Sequence, residues 1–304
     1  MNGILNVLKP PGMTSHDVVS FIRRLSGEKK AGHTGTLDPG AAGVLLVCCG
    51  RATRLIEYLD HDKQYRAEIT FGVVSSTGDS FGELQEREIP AGFSKEAVSA
   101  VLPCFTGDIS QIPPMTSAVR HQGKKLYELA RRGKVVERRS RTVRIYEIRL
   151  AGWFHCPDNP RALLDIRCTA GTYIRTLCQD IGEKLGCGAH MSFLLRTGVG
   201  DYTIDGAFAL EELKILNCGG RLEEAAVSIE EAMSFLPAVE MGEGAVKPVT
   251  SGATLHLPGV KKMPGGILEG SLVTLWGGGQ ILGVARAVLD ERGRMGFRPE
   301  KIIV

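Results

Sequence analysis

Apolar residues recur along the chain with two periods, and the switches between them outline its elements. Val18, Phe21, Ile22 and Leu25 share one helical face, with Ser15 as the expected N-cap and Gly27 as the stop. Val44-Leu45-Leu46-Val47 is an unbroken apolar run, as in a strand buried on both faces. Residues 65–73 alternate polar and apolar and predict a half-buried strand, and residues 94–102 a helix begun by Ser94. A helix at 124–132 and strands at 143–151 and 162–169 follow.

Ile174, Leu177, Cys178, Ile181 and Leu185 mark the clearest helix, residues 172–185, with Tyr173 and Arg175 in its first turn off the apolar face. An arginine there opposes the helix dipole, so it is either solvated or matched to a carboxylate or phosphate. Ser228-Ile229-Glu230-Glu231 has capping-box form and opens a helix ending near Leu236-Pro237. Beyond it, the apolar segments 272–276 and 280–288 are separated by glycine clusters, the pattern of a small β-barrel. Helix and strand mix without a regular βαβ repeat, which points to an α+β chain. Two domains are expected, 1–236 and 237–304.

Of the 304 residues, 43% are hydrophobic and 23% charged, ordinary for a globular protein. No apolar run is long enough to span a membrane, and Met1 to Asn6 lacks signal-peptide character, so a cytoplasmic location is expected. The eight cysteines contain no Cys-x-x-Cys, and neither His155-Cys156 nor Cys187 with His190 supplies the hooks of a zinc site; reduced thiols and no metal are expected. The formal charge of +3 hides an asymmetry. Residues 120–149 hold eleven Lys or Arg against three Glu, a local +8, so the remainder carries −5. That is either a solvated face or the footprint of a polyanion, with nucleic-acid backbone the natural partner.

Gly32-His33-Thr34-Gly35-Thr36-Leu37-Asp38-Pro39-Gly40-Ala41-Ala42-Gly43 sets one carboxylate in a glycine-rich loop just before the apolar run. Asp-Pro-Gly is turn chemistry, and an Asp there serves either as a turn residue or as a nucleophile held on a rigid support. No Gly-Lys-Ser or Gly-Lys-Thr follows, and the glycine spacing is not that of a dinucleotide site.

This string resembles the motif around the catalytic aspartate of the TruB family of tRNA pseudouridine synthases. Further pieces fall in the family's order: Lys9-Pro10-Pro11-Gly12-Met13-Thr14-Ser15, Asp62-Lys63-Gln64-Tyr65-Arg66, Gln111-Ile112-Pro113-Pro114, Gly171-Thr172-Tyr173-Ile174-Arg175-Thr176-Leu177 and Leu194-Leu195-Arg196-Thr197. The resemblance implies a pseudouridine synthase fold, with a mixed, largely antiparallel sheet flanked by helices, and a C-terminal PUA-like RNA-binding domain. It implies isomerisation of uridine 55 in the tRNA T loop without a cofactor, by a monomer needing no protein partner. Asp38 matches the catalytic position and Arg175 its ion-pair partner. Tyr65 and Tyr173 match aromatic pocket positions, Tyr65 also being a candidate for C5 proton removal. His33 matches an RNA contact and Leu194 a pocket wall, while Lys9 is either structural or phosphate-facing. The basic stretch, about 108–149, resembles an RNA-gripping segment, with Lys124, Lys125, Arg131, Arg132 and Arg141 as backbone contacts. A tRNA-folding chaperone and a guide-RNA-dependent synthase subunit are the alternatives.

Overall fold

A computed structural model of the chain describes residues 1–59, 62–117, 119–130, 132–156 and 159–304, with the Lys125 side chain excluded. Arg131 lies outside the described residues. Ten strands form one mixed sheet whose main path runs Ala226–Val227, Gly3–Lys9, Ala42–Cys49, Ala189–Val199, Lys63–Phe71, Arg161–Cys168, Arg141–Phe154, Gly107–Gln111. Every pairing in it is antiparallel except that of Ala42–Cys49 with Ala189–Val199. That parallel contact is short, with Gly43 opposite Arg196, and it demands a glycine. Gly43 sits at φ +114°, and a Cβ there would lie 2.1 Å from the Arg196 carbonyl oxygen.

The run Val44 to Val47 is fully buried because helices cover one face of its strand and a second sheet covers the other. Leu45 and Val47 pack with Val18, Val19 and Ile22 of the helix Ser15–Ser26. Val44 and Leu46 pack with Ile281, Val284 and Ile303 from the C-terminal part. The second sheet has six strands, in the order Leu255–His256, Met295–Ile302, Gln280–Leu289, Leu272–Gly277, Ala238–Met241, Val260–Lys262. Deleting a buried side chain such as Leu46 would cost about 2–5 kcal/mol.

Several expectations need correction. The first helix is capped by Thr14, not Ser15: Thr14 and Asp17 close a capping box, and the Ser15 hydroxyl is used elsewhere. The helix expected at 124–132 is found as Leu126–Ala130, starting late because Lys124–Lys125 pairs with Arg120–His121. Gln122 and Gly123, at φ 48° and 82°, supply the left-handed pair that such a tight hairpin requires. The last helix of the larger part, Ile229–Ala232, stops well before Leu236.

Candidate active site

Two segments distant in sequence lock the Asp38 loop. Ser15 Oγ accepts the Leu37 N–H at 2.8 Å and faces its carbonyl at 3.2 Å, and the Gly12 N–H donates to Pro39 O at 2.8 Å. Lys9 is fully buried, its ammonium donating to the carbonyls of Pro10 (2.9 Å), Pro39 (3.3 Å) and Ala41 (2.6 Å). From the other side Arg196, also buried, donates from Nε to Val44 O at 2.7 Å and from Nη2 to Gly35 O at 3.0 Å. The N-terminal motif thus acts as a clamp on the loop. This decides the role of Lys9, which is structural and does not face phosphate.

Burial brings the Lys9 ammonium down to about 8, with Asp38 opposing the drop, so it stays largely charged at neutral pH. Lys9→Met leaves up to three carbonyls without their donor. We expect it to lower unfolding free energy by about 2–4 kcal/mol, read as a lower urea midpoint at unchanged m value. A wild-type midpoint would remove the clamp from the account.

The Asp38 carboxylate meets Arg175, on the helix Ile174–Lys184, in a two-point contact: Nε to Oδ2 at 3.0 Å and Nη2 to Oδ1 at 3.3 Å. The Arg175 side chain lies off the apolar face of Ile174, Leu177, Cys178 and Ile181, and at only 6% exposed it is matched to a carboxylate rather than solvated. Its remaining donors explain why burial is tolerated. Nη1 lies 3.5 Å from Asp79 Oδ2, donates to Thr77 O at 3.3 Å, and bonds the Thr116 hydroxyl. Asp79 is itself held, accepting from the Thr77 hydroxyl at 2.6 Å and the Phe81 N–H at 3.1 Å. Asp38 remains 37% exposed and is the solvent-facing member of the network.

Burial raises the Asp38 carboxyl above the ordinary aspartate value; Arg175 opposes this, Asp79 adds to it, and Lys9 opposes it.

Around this network the expected neighbours fall into place unevenly. Tyr65 and Leu194 are buried in the same apolar cluster as Leu37 and Ala41, on either side of Asp38 in sequence. Burial pushes the Tyr65 phenol up, with the hydrogen-bonded Arg196 guanidinium opposing. A raised phenol is a poorer base at neutral pH, which counts against Tyr65 as the group removing a C5 proton. Tyr173 caps the Arg175 helix, with its N–H on Gln111 Oε1 at 2.9 Å and its carbonyl on Gln111 Nε2 at 3.2 Å. His33 lies two strand residues past Ala31. Burial lowers its imidazolium, and its Nδ1 has no hydrogen-bond partner among the described residues.

Lys124, Arg132 and Arg141 are exposed, as a backbone-gripping role needs. Their segment reaches the network through Thr116, and Arg138 Nη1 donates to Pro113 O at 3.0 Å. Among the described residues no three His, Cys, Asp or Glu gather as metal ligands.

Asp79, Thr116 and Arg196 were not singled out from sequence as site residues. Asp79 carried a usable signal, an acid between Gly78 and Gly82 like Asp38 between glycines. Gly78 adopts φ +77°, and a Cβ there would come within 3.3 Å of Arg175 Cβ.

Three family models match successive parts of the chain. One for the N-terminal domain of TruB family pseudouridylate synthases matches residues 23–174, one for the tRNA pseudouridylate synthase B C-terminal domain matches 175–230, and one for the PUA domain matches 237–292. Proteins named tRNA pseudouridine synthase B are close in sequence. That of Pelotomaculum thermopropionicum is 52% identical over 99% of this chain and 95% of its own length; that of Moorella thermoacetica is 45% identical over 99% of each. Among solved structures, an H/ACA ribonucleoprotein bound to a substrate RNA containing 2′-deoxyuridine aligns with TM-score 0.74 at 28% identity, over 99% of this chain and 85% of that one. A Cbf5-Nop10-Gar1 complex aligns equally well at 30% identity, with the same coverage. The expected α+β pseudouridine synthase fold with its C-terminal PUA domain is present, and the chain belongs to the TruB family of pseudouridylate synthases.

Proposed function

We propose that the protein isomerises uridine 55 in the T loop of tRNA to pseudouridine, with Asp38 as the catalytic group. The observation that carries this is the partly exposed Asp38 carboxylate held at two points by a buried Arg175 on a clamped loop. The reaction breaks the uridine N1–C1′ bond, forms C5–C1′, loses the C5 proton and gains a proton on N1. No electrons are exchanged, so the protein has to supply a carboxylate, a pocket that retains the freed base, and a path for one proton.

Asp38 serves as nucleophile or electrostatic partner, and Arg175 keeps it oriented and ionised. Tyr65, Tyr173 and Leu194 hold the uracil while it turns, and His33 meets the RNA where the base leaves its stack. Flipping costs a few kcal/mol, offset by backbone contacts from Lys124, Lys125, Arg131, Arg132 and Arg141. Residues 1–236 form the catalytic domain and 237–304 the RNA-binding one, acting as a cytoplasmic monomer without a protein partner. The 41–54% identity to tRNA pseudouridine synthases B, against 28–30% to the ribonucleoprotein components, favours independent action over a guide-dependent subunit.

Tritium at uridine C5 in an unmodified tRNA transcript tests the reading. One tritium should reach water per tRNA; release approaching the total uridine count, or none, contradicts it.

The pH profile gives a second check. Asp38 works ionised and its carboxyl is raised, so activity should fall with acidification above the ordinary aspartate range near 3.8. Asp79→Asn removes a negative neighbour and should move the acid limb of kcat/KM to lower pH. A limb that stays in place or moves up separates Asp79 from Asp38.

A further inference from the structure

At the far end of the strand Ala42–Cys49 from Asp38 lies a second cleft, of about 620 Å³, that the proposed chemistry leaves unused. Lys29, Lys30, Arg51 and Arg54 line it together with Glu28 and Asn2. All four cations are exposed, and among the described residues none is within 4.0 Å of a carboxylate. Nearby cations are not left this way: Lys301 pairs with Glu57 at 2.6 Å, and Arg286 pairs with Glu300. Glu28, the cleft's own acid, is turned toward the Met1 amino group at 3.8 Å and accepts the Lys30 N–H at 3.2 Å.

The cleft's frame is built. Gly50 N–H donates to Lys30 O at 2.7 Å, and Arg51 N–H to Asn2 Oδ1 at 2.9 Å. Gly50 takes φ +60°, and a Cβ there would fall 2.2 Å from Asn2 Oδ1, so these segments close up only around a glycine. Arg54 Nη1 donates to Ile302 O at 2.8 Å, tying the cleft to the C-terminal sheet. Four unneutralised cations around one concavity repel each other and focus positive potential outward, an arrangement an anionic ligand relieves.

We propose that this cleft is a second anion site, which takes phosphate backbone of the tRNA outside the T arm. The inference rests on the reading of the protein as a tRNA enzyme. Eight residues of strand at about 3.3 Å each put the cleft roughly 25 Å from the Asp38 loop. A T loop engaged at Asp38 does not reach so far, but an arm of the tRNA neighbouring the T arm does, since the span is less than one ~34 Å turn of duplex. The basic segment near residues 108–149 is a separate feature, joined to the Asp38 network itself through Thr116.

The test compares the wild-type protein with Lys29→Glu/Arg51→Glu, leaving Arg54 to hold Ile302. Each is titrated at several salt concentrations with a full-length unmodified tRNA transcript and with the isolated T-arm stem-loop, and pseudouridine is assayed in both. The double variant should bind full-length tRNA about 10-fold or more weakly, with a shallower dependence of log K on log salt, by about 0.7–0.9 for each phosphate no longer neutralised. Its affinity for the T-arm and its rate of T-arm modification should match wild type. Undiminished affinity for full-length tRNA, or equal losses on both RNAs, overturns the proposal. Failure of the wild-type protein to modify either RNA would instead overturn the functional reading.

Discussion

Asp38→Asn should reduce pseudouridine formation on the order of 10⁴-fold or more, the scale of removing a nucleophile from an otherwise intact site, while leaving tRNA affinity within about threefold of wild type. The amide keeps the shape of the side chain and an oxygen for Arg175, but not the charge. Stability should not suffer. A carboxyl raised in the folded state binds its proton more tightly there than in the unfolded chain, so its ionised form costs stability at neutral pH. That cost appears as pH rises from the ordinary aspartate value through the raised one, and Asn removes it. A melting temperature at or above wild type, with activity gone, is the expected signature; a clearly lowered one would mean that the Asp38 charge serves the fold.

Arg175→Met should have the second-largest effect and should damage both properties. It leaves Asp38 and Asp79 without the cation between them and takes a donor from Thr77 O and the Thr116 hydroxyl. A loss of about 2–4 kcal/mol in stability follows, below the figure for a fully buried pair because Asp38 is partly exposed. Turnover should fall about 10³-fold, near 4 kcal/mol of barrier. Loss of the cation also raises the Asp38 carboxyl further, so the residual activity should show its acid limb at higher pH, opposite to Asp79→Asn. A variant with wild-type turnover and an unmoved limb would show that the ion pair is ornamental.

What the sequence carried and what it withheld divide along physical lines. The Asp38 loop was legible because a glycine-rich turn before a buried strand is a local pattern, and the matching motifs singled out Arg175. The distance between them, across 137 residues, was not local and needed coordinates. Lys9 left its role open because a lysine in a strand pattern is ordinarily exposed, and only the carbonyls of Pro39 and Ala41 reveal it as a clamp. Thr14 and Ser15 compete for one cap on propensity alone. The capping box with Asp17 settled it and freed Ser15 to bind Leu37. In the basic segment Leu126 and Leu129 gave a genuine helical signal, but cross-strand pairing took Lys124 and Lys125 first. Asp79 was missed because its partner lies on another element, and a glycine-flanked acid alone does not say what it faces.

The central claim is that the Asp38 carboxylate converts uridine 55. It is tested most directly by mapping pseudouridine at every uridine of an unmodified tRNA transcript after incubation with saturating wild-type or Asp38→Asn protein, with binding measured in parallel. The account predicts near-complete conversion at position 55 alone by wild type and none by the bound variant. Conversion by the variant, or modification by wild type at uridines other than 55, contradicts it.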